Sequence, residues 1–257
     1  MKKYLINFAN GKYLEAQKSN SSSGIERGGF DEVIEYSIEN VDNDFKNKNK
    51  DILSLSRGAG YWLWKPYFIL KTLNTIKDGD IVFYSDSGSC FLRDTSPLIQ
   101  IASKEGSGLC CFNLGGIHKE AQWNKRITMQ ALGLDNEFIR FSSHRMASFV
   151  IAKKNVNSIA IIKEWLSFCE DINLLTDIAT DVDNYPEFIE HRHDQSIWSL
   201  LTKKHAIKAL PDPTEWGIRT QNGYTDEIKD FYILHHRQDV AKPLVDYFND
   251  IQDSKYK

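Results

Sequence analysis

The stretch that most constrains the fold is Gly79-Asp80-Ile81-Val82-Phe83-Tyr84-Ser85-Asp86. A turn at Asp78-Gly79 delivers the chain into an unbroken apolar run of strand length, and an aspartate follows almost at once. A run that is apolar at successive positions has no polar face for water, so it predicts a central strand covered on both sides. Such a strand belongs to a layered α/β sheet. The aspartate past its end stands where open α/β sheets bind their ligands.

The rest of the chain supplies the neighbours such a strand needs. Lys3 to Phe8 reads as a first strand ended by Asn10-Gly11, and Phe30 to Tyr36 as a second with alternating character. Pro66 fits the first position of a helix, where its missing N–H costs nothing. Ile69, Leu70, Leu73 and Ile76 then repeat at helical spacing. Short strands are expected at Gly108 to Phe112, Phe149 to Ala152 and Phe231 to His235. Helices are expected over Trp123 to Leu132, over Asn157 to Cys169, from Asp194 onward, and in part of the tail from Gln238. Lys18 to Gly24 is polar and reads as a mobile loop, and Asn43 to Asp51 as an exposed helix end or loop. With no internal repeat and no linker, the economical reading is one domain over residues 1–257.

Composition narrows the class. A hydrophobic fraction of 41% with 12% aromatic residues can fill a core, which argues against a disordered chain. A net charge of −3 gives no global field for nucleic acid. No apolar run approaches the ~18 residues of a membrane span. The apolar segment after Lys2-Lys3 is too short for a signal peptide, so a cytoplasmic protein is expected. The four cysteines, Cys90, Cys110, Cys111 and Cys169, lack metal-site spacing and read as free buried thiols.

Four segments carry groups suited to chemistry. Asp86 in Y-S-D-S-G-S is either a turn former or a carboxylate that holds a divalent metal against a diphosphate. Gly88 would let backbone approach a ligand closely. His191-Arg192-His193-Asp194-Gln195 crowds polar groups before an apolar helix. There Asp194 is either a helix cap or a base or charge stabiliser. His235-His236-Arg237 follows the late strand. Its histidines alternate faces, so one of them can complete a metal shell, and Arg237 can neutralise phosphate. Tyr61-Trp62-Leu63-Trp64-Lys65 is dense in aromatics that either pack the core or stack on sugars and bases. Arg57 and Lys65, at a glycine-hinged loop and a helix start, together suit a pyrophosphate.

In this order the segments G-Y-W-L-W-K-P-Y-F-I, G-D-I-V-F-Y-S-D-S-G, H-R-H-D-Q-S-I and H-H-R resemble a family of bacterial glycosyltransferases with the GT-A fold, found in capsule, lipopolysaccharide and other surface-glycan clusters. The resemblance covers nearly the whole chain. It implies a single GT-A type domain, a nucleotide-binding Rossmann-like mixed sheet flanked by helices. It implies transfer of a sugar from a nucleotide-sugar donor to a hydroxyl of a glycan or lipid-linked acceptor, with peripheral contact at the inner membrane. Asp86 and Asp194 are the implied catalytic residues. Phe8, Ala9, Arg57, Trp64, Lys65, Asp86, Ser87, Gly88, His193, Gln195 and Arg237 are the implied donor site. Mn²⁺ or Mg²⁺ would be held by Asp86 with His235 or His236. The departure from the family pattern is Gly88, which stands where the second D-x-D carboxylate would be, so the metal is either held by fewer groups or dispensable. A binding protein that keeps the fold without turnover, and a glycoside hydrolase using Asp86 and Asp194, are the alternatives.

Overall fold

The computed structural model describes residues 1–219 and 231–238. The main elements are β1 (Lys3–Phe8), α1 (Leu14–Ser23), β2 (Glu32–Tyr36), α2 (Trp64–Thr75), β3 (Ile81–Ser85), β4 (Cys90–Phe91), α3 (Ser96–Lys104), β5 (Leu109–Asn113), β6 (Arg145–Lys153), α4 (Val156–Cys169), α5 (Asp194–Lys204), β7 (Ala209–Leu210) and β8 (Ile233–Leu234). Six strands form one mixed sheet in the order β2-β1-β3-β6-β5-β7, and β4 pairs with β8 in a separate ribbon. β1 is parallel to both β2 and β3, whereas β6 runs antiparallel to β3 and β5.

All five residues of β3 are buried, as the apolar run predicts. Its alternate side chains enter different cores. Val82 and Tyr84 join Phe68, Ile69, Leu73, Trp165 and Trp198 from α2, α4 and α5. Ile81 and Phe83 join Leu98 and Ile99 of α3 with Phe91 and Phe149. Helices therefore cover both faces of the sheet. The four cysteines are free and buried. Among the described residues, no helix is long and apolar enough to cross a membrane.

Several boundaries differ from the sequence reading for local reasons. α4 starts at Val156 because Asn155 and Ser158 form a capping box, each side chain meeting the other's backbone N–H, at 2.7 and 3.1 Å. α2 starts at Trp64, so Pro66 sits inside its first turn. The helix expected over Trp123 to Leu132 is two short pieces, Glu120–Trp123 and Arg126–Ala131. The polar stretch expected as a mobile loop at Lys18 to Gly24 is mostly the second half of α1, with Asn20 and Ser23 buried. Asn20 Nδ2 donates to Ser85 Oγ and to the Ser89 carbonyl, each at 3.0 Å, and Asn7 Nδ2 donates to Asn20 Oδ1 at 2.8 Å. Buried polar groups stay stable when every partner is supplied, and composition alone does not reveal such wiring. The expected tail helix lies, from residue 239 on, outside the described residues.

Candidate functional site

β1 has β2 on one side and β3 on the other, so the chain changes direction across the sheet at this strand. The crevice beyond the C-terminal ends of strands at such a switch point is where open α/β sheets take ligands. A cavity of about 650 Å³ lies there. Phe8 at the end of β1 and Asp86, Ser87 and Gly88 just past β3 line it, and Gln195, His235 and Arg237 close in from later segments.

The wall opposite the strand ends is a backbone of unusual shape. Gly58, Ala59, Gly60, Tyr61 and Trp62 all have positive φ, from 52° to 92°. Tyr61 N–H donates to the Arg57 carbonyl at 2.7 Å and Trp62 N–H to the Gly58 carbonyl at 3.3 Å, closing a left-handed turn. Each non-glycine residue in that conformation costs roughly 1–2 kcal/mol. A Cβ on Gly60 would lie 2.9 Å from Leu53 Cα, so the turn also needs glycine for space. His193, with φ 58° and ψ −123°, is strained as well, and its ring stacks on Trp62 at 5.5 Å. Backbone strain concentrated at a cavity is a hallmark of functional sites. Trp64 stacks on Phe8 at 3.7 Å and 15°, giving the cavity a flat aromatic edge.

Beneath the floor lies a chain of charges. Lys65 Nζ is 2.9 Å from Asp194 Oδ2 and 3.5 Å from Asp86 Oδ1. The Lys65 and Asp194 side chains are each 4% exposed, against 30% for Asp86. Tyr84 hydroxyl donates to Asp86 Oδ1 at 2.6 Å. Burial works against the Lys65 charge, but the Asp194 and Asp86 carboxylates outweigh it and hold the ammonium above its ordinary pKa. Burial pushes Asp194 the other way from a free carboxyl, up to about 6, with Lys65 pulling it back.

The residues expected at the site do not all reach it. Phe8, Trp64, Asp86, Ser87, Gly88, Gln195, His235 and Arg237 line the cavity. Lys65 and Asp194 lie behind the lining, and Asp194 is held by Lys65 from the first turn of α5. His193 is buried with Nδ1 2.9 Å from the Leu175 carbonyl and supports the wall through Trp62. Ala9 is buried with its N–H on the Tyr36 carbonyl. Arg57 is at the surface, 2.9 Å from Asp177, so it does not share a pyrophosphate site with Lys65. His236 is outside the lining, and its Nδ1 accepts from Gln238 N–H at 3.1 Å. Gly88 does receive backbone closely, but the backbone is that of Arg237.

Sequence reasoning missed Tyr84 and Asp212 among the lining residues, and named Arg192 and Trp62 within their segments without assigning them to the donor site. Arg192 stood inside the H-R-H-D-Q segment, so a signal was present. Asp212 sits between two prolines with nothing in the pattern to mark it.

The described residues do not fit a resident divalent cation. Among them, no three His, Cys, Asp or Glu side chains gather about one point. Asp86 offers one carboxylate, already shared by Tyr84 and Lys65. Mg²⁺ and Mn²⁺ favour several hard oxygen ligands, and a lysine ammonium beside the available oxygen competes for the same charge.

No protein-family model matches the chain, and no curated protein matches it in sequence. The fold does match solved structures. WbbM, a bifunctional glycosyltransferase, aligns with TM-score 0.53 at 12% identity over 97% of this chain. The chain spans about half of that protein, 49% of its length. An active-site mutant of LgtC aligns with TM-score 0.49 at 14% identity, covering 98% of this chain and 95% of that one. At 12% identity the WbbM likeness is one of fold, and it agrees with the mixed, helix-flanked sheet of GT-A type.

Proposed function

We propose that the chain is a glycosyltransferase that moves a sugar from a nucleotide-sugar donor to a hydroxyl of a glycan or lipid-linked acceptor. The observation that carries the reading is the cavity at the β1/β3 switch point, which joins a flat aromatic edge, a half-exposed carboxylate and two arginines in one space. A nucleotide sugar presents the matching parts: a planar base, a polyanionic diphosphate and a polar ring.

The chemistry follows from the placement. The Phe8 and Trp64 pair, stacked on each other, forms the apolar side of the cavity against which the base lies. Cationic side chains receive the diphosphate. The bond between the anomeric carbon and the phosphate oxygen breaks, and its electron pair leaves with the nucleoside diphosphate. Cations preorganised around that oxygen stabilise the charge as it develops. The sugar gains oxocarbenium character, which the Asp86 carboxylate favours. The acceptor hydroxyl bonds to the anomeric carbon and gives up its proton to the departing diphosphate, whose charge rises as the bond breaks. Asp194 acts from behind Lys65: it fixes the ammonium that in turn fixes Asp86, which makes it a positioning residue in place of the base expected from sequence.

A hydrolase built on Asp86 and Asp194 is disfavoured, because both carboxylates converge on one buried ammonium and do not flank an open space. The proposal extends to one domain over residues 1–257, to bacterial surface-polysaccharide synthesis, and to a cytoplasmic site of action at the inner membrane, the last two supported by the sequence resemblance. The test is a screen of nucleotide sugars for release of nucleoside diphosphate in the presence of mixed oligosaccharide and lipid-linked acceptors. Donor-specific release that depends on acceptor supports the reading. Sugar released from a glycan with no nucleotide present would replace it with the hydrolase.

A further inference from the structure

We infer that Arg192 and Arg237 hold the donor diphosphate in the role that a divalent cation on paired carboxylates fills in D-x-D sites. The inference rests on the nucleotide-sugar reading above and specifies how that donor is bound.

The first ground is what occupies the second carboxylate position. Gly88 carries no side chain, and the Arg237 N–H donates to its carbonyl at 2.8 Å. A Cβ at position 88 would lie 3.0 Å from Arg237 Cα, 3.3 Å from its carbonyl carbon and 3.4 Å from its nitrogen. A carboxylate there requires the arginine backbone to move away. The glycine that removes one negative group thus seats one positive group at the cavity, with Arg237 itself held at φ 58°.

The second ground is that the two guanidiniums meet in one cleft. Both line the cavity. Burial lowers the Arg192 pKa most, Glu190 opposes it, and the charge of Arg237 adds a smaller lowering, so the two cations sense each other in a half-desolvated space. His118, whose value burial lowers, also feels both of them. Arg192 stacks on Trp123 at 3.8 Å, and Arg237 lies over Trp216 at 5.4 Å. Stacking orients a guanidinium plane without neutralising it. Arg192 Nε is buried without a hydrogen bond, and Glu190 Oε1 is 3.6 Å from it.

The third ground is that the acids lining the cavity with them, Asp86 and Asp212, are already engaged, while Glu190, outside the lining, stands 3.6 Å from Arg192 Nε and 3.9 Å from Arg57. Asp86 is shared by Tyr84 and Lys65. Asp212 Oδ1 accepts from the Thr214 N–H at 2.9 Å and hydroxyl at 2.7 Å. Each guanidinium in this cleft presents a fork of N–H donors of the kind that takes phosphate oxygens, and a bound diphosphate offsets their like charge.

The test is calorimetric titration of the full chain with UDP, GDP, ADP and CDP, each with EDTA and with Mn²⁺. The expected result is one preferred nucleoside diphosphate whose Kd agrees within about threefold in the two conditions. Arg237→Ala and, separately, Arg192→Ala each weaken that binding in EDTA by about tenfold or more, about 1.4 kcal/mol. Circular dichroism confirms that the variants are folded, and the two independent positions guard against loss of one. Binding that requires Mn²⁺, or arginine variants that bind in EDTA like the parent, overturns the inference and leaves the transferase reading standing. No binding of any nucleoside diphosphate in either condition overturns both.

Discussion

Glu120 and Lys203, with the His144 ring hydrogen-bonded to Glu120, form a buried cluster, as Lys65, Asp194 and Asp86 do beneath the cavity. In the first, Glu120 and His144 are fully buried and 2.7 Å apart. Lys203 contacts Glu120 and also reaches Ser142 Oγ and the Ser143 carbonyl, each at 2.7 Å, while the Ser199 hydroxyl donates to Glu120. In the second, Asp86 is 30% exposed to the cavity, and the close contact of Asp194 Oδ2 with Lys65 falls outside hydrogen-bond geometry. Both clusters hold charge in a low dielectric. The sealed one spends its hydrogen bonds on the protein and ties α5 to the start of β6, whereas the open one presents a carboxylate to whatever enters.

The sharpest way to break this comparison is to remove the central acid of each cluster. Glu120→Ala leaves Lys203 buried and unpaired, and is expected to lower stability by about 3–5 kcal/mol in denaturant titration. A loss below about 1 kcal/mol would put the two clusters on the same footing. Asp86→Ala is expected to cut turnover of the identified donor by roughly 10²–10³, about 2.7–4 kcal/mol in the barrier. Its effect on stability is expected to stay within about 1 kcal/mol, since the side chain is partly solvated. Near-normal turnover would remove Asp86 from the chemistry.

Acid separates the clusters next. Asp194 has a folded-state value of about 6, above the ordinary 3.8, so the native state holds that proton more tightly than the unfolded chain. Its contribution to stability is full below pH 3.8 and is lost as pH rises through about 6. Glu120 behaves oppositely: its value falls to about 2 because His144 and Lys203 outweigh the effect of burial. Its contribution is full above 4.5 and is lost as pH falls toward 2. Activity should follow the Asp194 carboxylate and rise through pH 6, because a neutral Asp194 releases Lys65. A pH–rate profile of Asp194→Asn is expected to lack that limb, and a retained limb would assign it elsewhere. The smallest effect belongs to Arg57→Ala. It breaks a solvent-exposed pair with Asp177 and should change stability by no more than about 1 kcal/mol, with the donor constant unchanged. A large rise in that constant would bring Arg57 back into the site.

Much of the fold was legible because periodicity reports burial directly. The apolar run of β3 gave a central strand, and the spacing from Ile159 to Cys169 gave a helix with one buried face. Asp86 was legible for the same reason, since a polar residue past a buried strand has few structural explanations. The buried wiring of Asn20 was not, because serine and asparagine read as loop formers until their partners are known. Arg192 was named in its polar cluster but given no role of its own, because nothing local distinguishes an arginine stacked in a cavity from one in solvent.

The sequence by itself determined the main strands β1, β2, β3, β5 and β6 and the helices α2, α4 and α5, that the chain is a layered α/β protein, and that Asp86 stands at a strand end. These depend on short-range periodicity and on the apolar character of single segments. Only the tertiary structure decided that Lys65 bridges Asp86 and Asp194, that Arg57 turns to the surface, and that Gly88 seats Arg237. Charge pairing and close approach are properties of distance between residues far apart in the chain, and distance of that kind is set only when the sheet closes and its helices pack.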